Sequence, residues 1–152
     1  MPRAVKDEVA KLLGSPVARA ERVYGGYAPS ATFRVALADG RRVFLKSTYP
    51  LPQGSAVHWS VDREERFYRS VGRRVERWAP RFHGSLDRDG WHMLALEDLG
   101  PRSVPPWTPI KAGRAAWDYA RVHKSTLGKP WPRWLARAEN MAAPCGAVVA
   151  RS

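Results

Sequence analysis

Apolar side chains at Val5, Val9, Leu12 and Leu13 recur at helical spacing, and Gly14 follows where a helix would end. The pattern predicts a short amphipathic helix over 5–13. Two runs with strand character come next, over 18–24 and 31–37, joined by Gly25-Gly26-Tyr27-Ala28-Pro29-Ser30, a turn of mostly small residues. Asp39-Gly40 predicts a hairpin into a third strand over 42–46. A loop rich in proline and glycine, 49–54, leads to a helix over 60–71. Ser60 is its expected N-cap, and Asp62, Glu64 and Glu65 sit where the positive end of the helix dipole favours acids. Val61, Tyr68 and Val71 give a partial apolar stripe, with Phe67 beside it. After Ala79-Pro80, strands over 81–86 and 91–97 pair across Asp87-Arg88-Asp89-Gly90.

Helix, three strands, helix, two strands: this order predicts an α+β fold, a five-stranded antiparallel sheet with one helix packed on it between strands three and four. Residues 100–109 are rich in proline and read as a linker. The longest helical pattern, 110–127, is closed by Gly128, and 131–142 is a further candidate helix. The tail 143–152 has no clear role. The expected division is therefore 1–99 as one lobe, 100–109 as linker and 110–152 as a helical stub. No internal repeat is visible.

Composition narrows the class. At 152 residues, 44% hydrophobic and 26% charged, the chain suits one folded domain with a real core, to which its 7 Trp contribute large rings. No apolar run is long enough to span a bilayer, and the first residues hold no signal-peptide core, so a cytoplasmic protein with no membrane partner is expected. The single Cys145 excludes an internal disulfide framework. A net charge of +12 favours anionic partners, but Lys and Arg are spread from Arg3 to Arg151 rather than gathered in an arm, which favours a solvated basic surface.

Three features in fixed order carry the candidate chemistry: a glycine-bearing turn between strands one and two, a lysine ending an apolar stretch on strand three, and a glutamate on the next helix. Small residues let backbone N–H groups approach phosphates closely. Lys46, after Val43-Phe44-Leu45, can neutralise α- and β-phosphate charge, and Glu64 can hold that lysine in place. Either residue alone reads more simply as a solvated strand-end lysine or a helix-start acid. The ordered set favours ATP.

These stretches resemble the aminoglycoside phosphotransferase family, which has a kinase-like fold. The resemblance runs through Gly25-Gly26 to Ser30, Thr32-Phe33-Arg34-Val35, Asp39-Gly40 and Phe44-Leu45-Lys46. It continues through Arg63-Glu64-Glu65-Arg66-Phe67-Tyr68, Ala79-Pro80-Arg81-Phe82-His83-Gly84 and Leu94-Ala95-Leu96-Glu97-Asp98-Leu99, the last being the hinge between lobes in that family. Tyr119-Ala120-Arg121-Val122-His123 is similar to the family's Leu-Ala-x-Leu-His helix, so the resemblance covers roughly 20–128. It implies the N-terminal lobe of a small-molecule kinase that moves the γ-phosphate of ATP to a hydroxyl. Gly25, Gly26 and Ser30 would lie over the phosphates, Lys46 would contact them, and Glu64 would pair with Lys46. The backbone of Glu97 to Leu99 would bond the adenine edge. Phe33, Phe44 and Leu96 are candidate walls of the adenine site and equally good candidates for core.

The chain departs from the family in two places. Its glycine turn is not G-x-G-x-x-G, and the family's His-Gly-Asp…Asn loop and metal-binding Asp do not occur; His83-Gly84-Ser85 lies before the hinge and has Ser for Asp. The expectation is thus a truncated phosphotransferase, inactive alone, with ATP as cofactor and the ligands for Mg absent. A hydroxyl acceptor would bind only a completed protein. Self-association through 110–142, or a missing C-terminal half, is the expected partner, because that segment's apolar residues need cover. A non-catalytic basic module for nucleic acid and a nucleotide-binding regulator are the competing expectations. His58, His83, His92, His123 and Cys145 show no metal-ligand spacing, and no G-x-S-x-G elbow is present.

Overall fold

A computed structural model describes residues 1–24, 30–48, 61–100 and 106–135. Gly25, Gly26, His58, Ser60, Cys145 and the tail 143–152 lie outside them. Among the described residues the elements run α1 (Arg3–Leu13), β1 (Val17–Val23), β2 (Ala31–Leu37), β3 (Arg42–Thr48), α2 (Asp62–Val75), β4 (Phe82–Arg88), β5 (Trp91–Glu97) and α3 (Pro109–Thr126). The chain divides into two compact units, Met1–Gly113 and Arg114–Ser152.

Local chemistry explains the turns. Gly14 ends α1 at φ 67°, and the amides of Gly14 and Ser15 return to the carbonyls of Lys11 and Ala10, the closure that a left-handed glycine permits. The β2–β3 hairpin closes on Gly40 at φ 86°, with the Leu37 amide bonded to the Arg41 carbonyl at 2.9 Å. In the β4–β5 hairpin both Asp89 and Gly90 have positive φ, 51° and 76°, as a two-residue turn matching strand twist requires.

The sheet is antiparallel throughout, in the order β1-β2-β3-β5-β4, so β3 is central and β1 and β4 are edges. Its two faces differ. Phe33, Val35, Leu37, Val43, Leu45, Met93 and Ala95 point to one face and form a dry core with Val5, Val9 and Leu13 of α1. Leu94 and Leu96 point to the other, where Val61, Tyr68 and Phe82 cover them. A five-stranded antiparallel sheet with a helix inserted between β3 and β4 is the arrangement of a kinase-like N-lobe.

Three expectations need correction. The second helix runs one turn past the predicted 60–71, because Val71, Gly72 and Val75 are buried and carry its packed stripe further. Its N-cap is Val61, without a side-chain cap bond. Phe33, 4% exposed, belongs to the α1 core on the face opposite Lys46, so it walls no site there. Within the candidate helix 131–142, residues 132–135 form a turn closed by the Leu135 amide on the Pro132 carbonyl, and the Trp131 indole donates to the Thr126 carbonyl at 3.4 Å; residues 136–142 lie outside the described residues. The helix α3 buries none of its residues, and Trp117 and Tyr119 are exposed. No helix among the described residues is long and apolar enough to cross a membrane.

One glycine joins the edge strand to α1. The β4–β5 register shifts between Phe82 and Gly84, and Gly84 takes φ 140°. A Cβ there would lie 2.8 Å from Leu12 Cδ1. Gly84→Ala is expected to destabilise the fold by about 1–3 kcal/mol through backbone strain and overpacking. Denaturant titration checks this, and a variant as stable as the parent would show that neither the strain nor the contact with α1 matters.

Candidate functional site

The face of the sheet opposite α1 carries the candidate chemistry in rows set by strand register. Thr32, Lys46 and Leu94 form one row across β2, β3 and β5; Arg34, Phe44 and Leu96 form the next; Ala36 and Arg42 follow on β2 and β3. Period-two alternation places these side chains together, because Lys46 shares a face with Phe44 and not with Leu45.

Helix α2 brings Glu64 to this face. Lys46 Nζ donates to Glu64 Oε2 at 2.5 Å, with the two side chains 28% and 30% exposed. The pair stands beside Leu94 and Tyr68, which pack in one cluster with Leu96 and Phe82; the Tyr68 and Phe82 rings stack with centroids 5.3 Å apart. Burial, and then the nearby Glu64 carboxylate, push the Tyr68 phenol up from its ordinary value. The ammonium of Lys46 is thus held at a defined point and still reachable from solvent.

The segment after β5 is tied down by Arg34 of β2 and by the side chain of Asp98. Arg34 donates to the Gly100 carbonyl at 3.0 Å, and its Nε lies 3.3 Å from Asp98 Oδ1, an ion pair whose N–H is not aimed along the contact. Asp98, whose side chain is only 5% exposed, also accepts the Gly100 amide at 2.9 Å. The Glu97 amide donates to the Arg81 carbonyl at 2.8 Å, and the Glu97 carboxylate accepts the Arg81 amide. The Glu97 amide is thus already used, and among the described residues no partner takes the Leu99 backbone. Ser30 begins the described chain after the glycine turn and is half-buried; Gly25 and Gly26 lie outside the described residues. Beside the Arg34–Asp98 tie lies a cavity of about 180 Å³, lined by Arg19, Glu21, Ala36 and Arg42 among others.

A second cluster lies at the start of α2. His92 Nδ1 is 2.5 Å from Asp87 Oδ1, and His92 Nε2 is 2.8 Å from Glu65 Oε2 and 3.5 Å from Asp62 Oδ1. Glu65 also accepts from Arg69 at 2.6 Å and from the Ser85 hydroxyl. Burial alone would raise the Glu65 carboxyl, but the bonds from Ser85 and Arg69 and the charges of His92 and Arg69 outweigh it and hold it low. Burial alone would lower His92, and the carboxylates of Asp87, Glu65 and Asp62 outweigh it and raise it. Among the described residues no group of three or more His, Cys, Asp or Glu is placed to hold a metal ion.

No protein-family model matches the chain, and no curated protein matches it. Among solved structures, one from Thermobifida fusca YX-ER1, described as "putative fructosamine-3-kinase", is similar at 28% identity with a TM-score of 0.42. The match covers 70% of this chain and 34% of that one, so the chain spans about a third of that protein's length. At that TM-score the likeness is coarse.

Sequence reasoning missed Arg34 and His92 as organising residues. Arg34 meets Asp98 and Gly100 from more than sixty positions away, and no local pattern announces that. The Asp87–His92 contact is a cross-strand pair that the Asp89-Gly90 turn already implies, whereas Glu65 reaches it only through the fold. Replacing Arg34 by Ala leaves the buried Asp98 carboxylate without its cation and the Gly100 carbonyl without its donor. A loss of about 1–3 kcal/mol is expected, read by thermal or denaturant unfolding. No loss would mean that water replaces the guanidinium freely.

Proposed function

We propose that this chain contributes the nucleotide-binding lobe of a small-molecule kinase of the aminoglycoside phosphotransferase type. The observation that carries the reading is the Lys46–Glu64 pair, formed at 2.5 Å between the central strand and the helix that follows it. A lysine fixed by a carboxylate presents its charge at one place, which is what binding the α- and β-phosphates of ATP requires. Phe44, half-buried in the adjoining row, supplies an apolar wall for the adenine, backed by the buried Leu96, and the Leu99 backbone supplies its polar edge. Gly25, Gly26 and Ser30 are the further residues that the family resemblance assigns to the phosphates; Gly25 and Gly26 lie outside the described residues.

ATP supplies the γ-phosphoryl group when bound, and the residues of this chain bind and orient it. Among the described residues no ligand set for magnesium is placed, and the sequence holds no catalytic carboxylate in a His-Gly-Asp…Asn loop, so no transfer step is assigned to it. Transfer to a hydroxyl acceptor belongs to the proposal only for a protein that also holds those residues.

Titration with ATP and with adenosine, followed by amide chemical shifts along β3, β5 and 97–100, tests this. Lys46→Ala should weaken ATP by about 1.5–3 kcal/mol, roughly ten- to a hundredfold, and leave adenosine unchanged. Failure of both ligands to perturb this face at moderate salt would sink the reading.

A second reading, a basic binding module, has one specific observation in its favour. A groove of about 800 Å³ between α2 and β4 is bordered by Arg73, Arg77 and Arg81, none of which makes a side-chain ion pair with a described residue, although Glu76 and Glu97 also line it. Under that reading a single-stranded oligonucleotide should bind with strong salt dependence, weaken on Arg73→Ala plus Arg77→Ala, and be indifferent to Lys46→Ala. Oligonucleotide binding unaffected by the double substitution would remove the groove from consideration.

A further inference from the structure

The strongest unassigned cluster is the one around His92, which the nucleotide reading does not use. Among the described residues, every charged group facing this imidazole within contact distance is a carboxylate: Asp62 and Glu65 from α2 and Asp87 from β4. Arg69 of α2 and Ser85 of β4 stand behind Glu65 and bond it. From β3 only the Thr48 hydroxyl approaches, donating to the His92 carbonyl at 3.5 Å. The ring itself is 17% exposed, as is Glu65, whereas Asp87 and Asp62 are about three-quarters exposed.

A neutral imidazole carries one N–H and one lone pair. Here both ring nitrogens meet carboxylate oxygens, at 2.5 Å and 2.8 Å. A neutral ring would therefore turn a lone pair toward one carboxylate, while the doubly protonated ring presents a proton at each nitrogen and a positive charge among three negative groups. The contact to Glu65 is electrostatic, since the Nε2–H is not aimed along it. The cluster is complete only with the ring charged.

What it joins gives it a consequence. Asp62 and Glu65 occupy the first turn of α2 and flank Glu64, the residue that meets Lys46. Asp87 and His92 are a cross-strand pair on β4 and β5. We propose that His92, as an imidazolium, is a positioning residue that latches the first turn of α2 to the β4–β5 hairpin and so holds Glu64 against Lys46. The latch stands on geometry alone. Its value to nucleotide binding rests on the function proposed above.

The sign follows from the raised folded-state value of His92. The latch is complete below the ordinary histidine range and is lost as pH rises through the folded value. Each unit of elevation corresponds to about a tenfold change in the opening equilibrium.

Hydrogen exchange of the full chain, corrected for intrinsic exchange, tests this across about pH 6 to pH 9. Protection of the amides in 62–75 should fall in one step, without a matching step in β1 and β2. His92→Gln should abolish the step and leave 62–75 weakly protected at every pH. Asp87→Asn alters an exposed side chain and spares the fold; it should move the step to lower pH. A parent protein with no step, a step shared equally by the whole sheet, or an Asp87→Asn step that stays in place would each overturn the latch. ATP titration at both ends of the range separates the two proposals. A pH step in 62–75 without nucleotide binding keeps the latch and removes the nucleotide reading. Equal ATP affinity at both ends with no step keeps the nucleotide reading and removes the latch.

Discussion

A lysine on a sheet and a glutamate on a helix meet only if the helix is held over that face, at one height and one rotation. Lys46 is held from its own side, because β3 is the central strand and is hydrogen-bonded to β2 and β5 on either flank. Glu64 depends on α2, which has no such ladder. Its anchors are the apolar contacts of Val61 and Tyr68 and the polar ties of Glu65, Arg69 and His92 to β4 and β5. The pair itself is part-exposed, and an ion pair in that setting contributes about 0–1 kcal/mol. It does not hold the helix in place; the helix holds it.

The two sheet faces divide the labour. The α1 face is packed with apolar side chains from three central strands and a helix, and it supplies the cohesion of the lobe. The other face is then free to carry charge. Arg34, Lys46 and Arg42 stand on it within two strands, a placement that a face needed for the dry core would not tolerate. Two of these three cations are matched locally, Lys46 by Glu64 and Arg34 by Asp98.

The excess of positive charge is uneven once the fold is known. Several arginines are spent on internal ties: Arg34 on Asp98 and Gly100, Arg41 on Asp39 and the Leu13 carbonyl, Arg69 on Glu65 and Ser85. Among the described residues, the groove at the far end of α2 keeps the side chains of Arg73, Arg77 and Arg81 without such ties. A helix that begins in Asp62, Glu64 and Glu65 and ends in Arg73 and Arg74 also complements its own dipole at both ends.

Much of this was legible in the chain itself. Helical spacing of Val5 and Val9, glycines after turn-forming aspartates, and strand character along 31–37 and 91–97 are local signals, and local steric and hydrogen-bonding rules are enough to read them. The order of elements, and with it the pairing of Lys46 with Glu64 as candidates, came from the same reading. Element ends were less legible, because the last turn of α2 exists through the burial of Val71 and Val75 against neighbours that no window of sequence contains. Phe33 and Phe44 looked alike as strand aromatics. Only the sheet, with a helix on each side, decided that one lies under α1 and the other beside Lys46. The Arg34–Asp98 tie and the Glu65–His92 contact were decided by tertiary structure alone. Their partners are distant in the chain, and a charged side chain carries no periodicity that tells which of many opposite charges it will meet.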